Sequence, residues 1–65
     1  MKITKVSILS KIERSIDLDV TAEEIKAWKA GMLIQDAMPR LTTDEREFMM
    51  TGITAEEWEK HYEQL

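Results

Sequence analysis

From Val6 to Val20 the large apolar side chains fall on even positions. Val6, Ile8, Ile12, Ile16, Leu18 and Val20 hold them, interrupted by Ser10 and Arg14. The odd positions carry Lys5, Ser7, Lys11, Glu13, Ser15, Asp17 and Asp19, with Leu9 the exception. A period of two marks a strand with one buried face. A helix would bring residues three and four apart together, which here mixes Ile with Glu and Lys. Residues 3–20 are therefore expected to be β-structure. A hairpin wants Asn-Gly, Asp-Gly or a loop with glycine, and residues 3–16 contain no Gly, Pro, Asn or Asp. Two arrangements stay open. One is a hairpin of roughly 3–9 with 14–20, turning around 10–13. The other is a single long, bent strand. Either leaves exposed edges that invite a second copy. The expectation is a homodimer or higher even-numbered oligomer with contacts centred on residues 5–18.

After Val20 the pattern changes. Val20-Thr21-Ala22-Glu23-Glu24-Ile25 and Ile53-Thr54-Ala55-Glu56-Glu57-Trp58 repeat one device. In each, Thr and the Glu three residues on form a capping box, flanked by the two apolar residues of a hydrophobic staple. Thr42 and Glu45 make a third box. Gly31 and Gly52 stand where helices end in a left-handed turn, and Pro39 keeps Met38 out of a continuing helix. These signals predict short helices at about 22–30, 32–37, 43–51 and 55–64, with 22–30 and 32–37 either separate or continuous. The fold class is α+β, an N-terminal strand or hairpin followed by three or four short helices. At 65 residues the chain is one domain, residues 1–65.

Composition narrows the function. There is no cysteine, so neither a disulfide nor a thiolate metal site is available. A chain this short is marginal alone, and oligomerisation is one remedy. The net charge is −4, which argues against a general nucleic-acid or anionic-membrane binder. No apolar run is long enough to span a membrane, and Met1-Lys2-Ile3-Thr4-Lys5 lacks the apolar core of a signal peptide. A cytoplasmic location is expected.

No catalytic constellation is recognisable. Glu57 and His61 share a helix face, but two ligands do not make a metal site. The pairs Glu23-Glu24 and Glu56-Glu57 lie in first helical turns, where capping and the helix dipole explain them. No serine has a His/Asp set, and no glycine-rich phosphate loop exists. An enzyme is not expected, nor a cofactor. Trp28 and Trp58 are read mainly as core, with a shared core between them; an aromatic platform is the functional alternative. Gln35, Asp36 and Arg40 flank the Pro39 corner and form the candidate recognition patch. Arg14, Trp28 and Arg40 are the candidates for holding a small anion between protomers.

The residues Trp28-x-x-Gly31, Ile34-Gln35-Asp36-Ala37, Pro39-x-Leu41, Asp44-Glu45-Arg46-Glu47-Phe48, Gly52-Ile53-Thr54 and Glu57-Trp58 form a pattern that resembles small proteins of bacteriophages and prophages. The resemblance covers residues 20 to about 60. It implies a setting, a phage protein acting in the cytoplasm of an infected bacterium, and brings no catalytic residue with it. In that setting the expected function is a non-enzymatic accessory protein that binds and inactivates a host factor, in an anti-defence role. The factor is either a host protein or a small anionic, nucleotide-like signal. The alternative is a structural or assembly protein acting through strand-mediated association.

Overall fold

The computed structural model describes residues 1–63. Two antiparallel strands, β1 (Lys2–Val6) and β2 (Glu13–Asp17), form a hairpin. Four helices follow: α1 (Ala22–Lys29), α2 (Ile34–Ala37), α3 (Thr43–Thr51) and α4 (Ala55–Glu63). The α+β expectation holds, and the β-segment is a hairpin. Its strands are shorter than expected and its turn is wider, taking in residues 7–12. Residue 64, expected within the last helix, lies outside the described residues. Among the described residues no helix is long and apolar enough to cross a membrane.

The even-position face does not survive the turn. Pairing Ile3 with Ile16 and Lys5 with Arg14 joins odd residues of β1 to even residues of β2. Residues directly opposite share a face, so β1 buries Ile3 and the turn buries Ser7, while Val6, Ile8 and Ile12 are exposed. Beyond β2 the even pattern continues inward through Leu18 and Val20, both buried. The outer face is polar: Lys2 lies opposite Asp17, and the Thr4 and Ser15 hydroxyls meet at 2.7 Å.

Serine does the work that glycine would do in the turn. The Ser7 hydroxyl accepts from the Leu9 and Ser10 amides at 3.1 and 3.2 Å, the local bonding by which serine nucleates turns. The Ser7 amide donates to the Ile12 carbonyl at 3.0 Å, and the Lys11 amide to the Ser7 carbonyl at 3.0 Å. Lys11 takes φ 66, a left-handed conformation that costs a non-glycine residue about 1–2 kcal/mol.

The helix boundaries follow the caps. Thr21 with Glu24 and Thr42 with Glu45 each form both bonds of a capping box. At the end of α1 the Met32 amide reaches the Ala27 carbonyl and the Gly31 amide the Trp28 carbonyl, at 3.1 and 3.0 Å. With Gly31 at φ 116 this is a Schellman end, so α1 and α2 are separate helices. Gly52 ends α3 at φ 77. Its surroundings admit no side chain, since a Cβ there would lie 2.5 Å from the Val6 carbonyl oxygen. The hairpin backbone thus runs directly over the end of α3, and the Ile8 amide bonds the Thr51 carbonyl at 3.0 Å.

One core cluster gathers Ile3, Leu18, Val20, Ile34, Ala37, Met38, Leu41, Phe48 and Met49. Trp28 packs against it; Trp58 does not belong to it. The expected shared core of the two tryptophans is therefore absent. Trp58 is half-buried and stacks on Tyr62, one turn along α4, with ring centroids 5.8 Å apart. The molecule is elongated, 38 × 18 × 18 Å.

Candidate binding surface

The second Thr-Ala-Glu-Glu sequence behaves unlike the first. Thr54 accepts from the Glu57 amide at 3.3 Å, as a cap should. The Glu57 side chain does not return to Thr54 but turns into the protein, where it is 9% exposed. There the Ser7 hydroxyl donates to both carboxylate oxygens at 3.0 and 2.8 Å, and Arg14 Nη1 lies 3.2 Å from Oε2. Ser7 thereby spends its one proton on Glu57 and its lone pairs on two loop amides, its full hydrogen-bonding capacity. The arrangement also relieves β2. Arg14 stands directly opposite Lys5, a repulsive pair, and Glu57 draws the guanidinium away and neutralises it.

The Ser10 hydroxyl leads in holding the Glu57 carboxyl below its ordinary 4.5, followed by Ser7 and Arg14, with burial acting against them. Of these partners, Ser7 and Arg14 make hydrogen bonds of defined geometry to the carboxylate, at 2.8–3.2 Å. Ser10 borders the same cleft. Glu57 is thus a charged anchor tying α4 to the turn and to β2.

Beside this anchor lies an open cleft of about 360 Å³ between the turn and α4, bordered by Leu9, Ser10, Ile12, Arg14, Lys60 and His61, with Glu56 and Glu57. The end of β1 and the turn carry exposed apolar residues: Val6 is 53% exposed, Ile8 63%, Leu9 40% and Ile12 50%. Single exposed apolar residues are ordinary; here four stand within seven residues of chain. The parity argument above is why sequence reasoning assigned three of them to the core.

The candidate residues are dispersed. Arg14 lies in the cleft. Trp28 lines a different groove, along β1. Arg40 is occupied: Nε lies 3.0 Å from Asp19 Oδ2 and Nη2 lies 2.6 Å from Glu24 Oε1. It fastens the corner after α2 to the start of α1. Glu24 is held below its ordinary value first by the Thr21 amide, then by Arg40, against some burial. Gln35 and Asp36 are exposed on α2, and Arg40 points to the carboxylates rather than forming a patch with them. Of the methionines, Met38 and Met49 are core, while Met32 and Met50 are exposed. Among the described residues no three His, Cys, Asp or Glu side chains gather in a way that could hold a metal ion.

No family model, curated protein or solved structure matches the chain.

Proposed function

We propose that this chain is a non-enzymatic accessory protein, of the phage-encoded kind that its sequence pattern resembles, that self-associates through its hairpin and binds and inactivates a host protein in an anti-defence role. The observation that carries this reading is the group of exposed apolar residues Val6, at the end of β1, and Ile8, Leu9 and Ile12, in the turn, beside the cleft of Arg14, Lys60 and His61. Burying such residues stabilises an interface by about 25 cal/mol for each Å² removed from water. The turn is also well held, by Ser7, Gly52 and Glu57, so little ordering entropy opposes binding. Light scattering at micromolar concentration tests self-association. Wild type is expected above 7.6 kDa, and Ile8→Lys with Ile12→Lys at that mass. A wild-type protein that stays monomeric on concentration removes the oligomer. Proteomic comparison of what co-purifies with wild type and with the double variant from infected cells tests the host partner. Identical sets reject the turn as the contact.

A second reading, as an assembly protein acting by strand addition, is favoured by the two-stranded sheet, whose outer edges are open templates for another strand. Deleting residues 1–12 would abolish assembly on that reading.

A further inference from the structure

A second groove, of about 250 Å³, follows β1 on the side where α1 passes. Consecutive residues Lys2 to Lys5 border it, so it runs along the strand edge instead of over one face. Its floor is apolar, with Ile25, Met49 and the half-buried Trp28. Its rim is cationic, formed by Lys2, Lys5 and Lys29. These are three of the nine Lys and Arg residues in a chain of net charge −4. No carboxylate borders the groove. Among the described residues none of the three lysines forms an ion pair, whereas Arg14 and Arg40 both do.

We propose that this groove binds a small aromatic phosphate of the mononucleotide class, with its ring on Trp28 and its phosphates among Lys2, Lys5 and Lys29. Ammonium groups are point charges that suit phosphate oxygens arriving from several directions. An indole accepts a nucleobase by stacking, whatever the base. Lys5 and Lys29 carry like charge beside the same groove, so an anion there is favoured by both. The volume lies below the ~300–1,000 Å³ of sites that enclose a drug-sized ligand, which suits one ring with the rest of the molecule in solvent. Charge decides against a polynucleotide. A long strand would leave the groove and cross the surface of a chain with thirteen carboxylates against nine Lys and Arg, where counterion release no longer favours it.

The proposal rests on the reading of the chain as a binding protein, but not on the apolar turn, since groove and cleft share no residue. The test is a titration of the full chain with ADP, following Trp28 fluorescence in a Trp58→Phe background. Saturable quenching is expected. Adenosine and inorganic pyrophosphate, each half of the ligand, are expected to bind at least about tenfold more weakly, the loss of one good contact. Lys5→Gln and Lys29→Gln should each weaken ADP by about three- to tenfold, with unchanged urea midpoints. Any of three results overturns the site: no saturation by ADP, adenosine binding as tightly as ADP, or lysine variants binding like wild type. An oligothymidylate binding more tightly than ADP overturns the small-ligand assignment. Light scattering on the wild type keeps the two ideas apart, because a wild-type oligomer that does not bind ADP rejects only the groove.

Discussion

Ser7→Ala isolates the anchor that joins the turn to α4. Ser7 is fully buried, and its hydroxyl makes four hydrogen bonds. Removing one partner of a buried hydrogen bond costs about 1–3 kcal/mol. The Leu9 and Ser10 amides add little, because both residues are exposed and water can replace the hydroxyl there. The upper half of that range, about 2–3 kcal/mol, applies because the acceptor left behind is charged. A chain of this length has roughly 3–10 kcal/mol in total. With a urea slope near 1 kcal/mol per M, the low end for small proteins, the midpoint falls by roughly 2 M. Ser15→Ala, on the exposed outer face, is the control and should stay within about 0.5 kcal/mol. Hydrogen exchange adds location: in Ser7→Ala the amides of α4 and the turn should lose protection before those of α3. A midpoint matching the control would refute the anchor. A lower midpoint with uniform loss of protection would show a general packing defect instead.

Gly52→Ala should destabilise by more than the roughly 1–2 kcal/mol of a left-handed residue, because the added Cβ collides with the Val6 carbonyl; a loss within that range in urea melts would mean that the hairpin does not run so close. Thr21→Ala and Thr42→Ala should each cost about 1 kcal/mol, and an unchanged midpoint for either would place that helix start elsewhere. Glu57 and Glu24 have depressed values in the fold, so the stability that they contribute is complete above the unfolded value near 4.5 and lost as pH falls through the folded value. Thermal melts from pH 7 to pH 3 should show this loss, reduced in Glu57→Gln; equal pH dependence in wild type and variant would rule Glu57 out as a source.

The helical part was legible because its signals are local. Thr21 with Glu24, Thr42 with Glu45, Gly31, Pro39 and Gly52 each act within one turn of chain, and no distant residue changes what they do. The hairpin was legible in kind but not in register. Alternation specifies a strand, yet which parity is buried depends on the partner, and here the two strands use opposite parities. The turn hid its signal because serine replaced glycine, with Lys11 accepting the left-handed position. Glu57 was the least legible residue. Its local sequence matches that around Glu24, and only the nearness of Ser7, fifty residues earlier, draws it inward.

That diversion bears on how the chain meets its partners. Two of the three Thr-x-x-Glu sequences are spent on starting helices. The third anchors a helix by charge, and α4 leaves its Trp58–Tyr62 stack outside the core cluster. The edges of the hairpin differ as well. Lys2 and Lys5 line the groove along β1, and lysine on an edge opposes pairing with another strand. Two antiparallel copies of β1 would set such lysines against each other, which an anion in the groove would relieve. In the proposed self-association the turn residues Ile8, Leu9 and Ile12, all exposed, carry no charge to oppose contact. The proposed contact through the turn and the proposed ligand site along β1 use separate residues, so the two sets of substitutions test them separately.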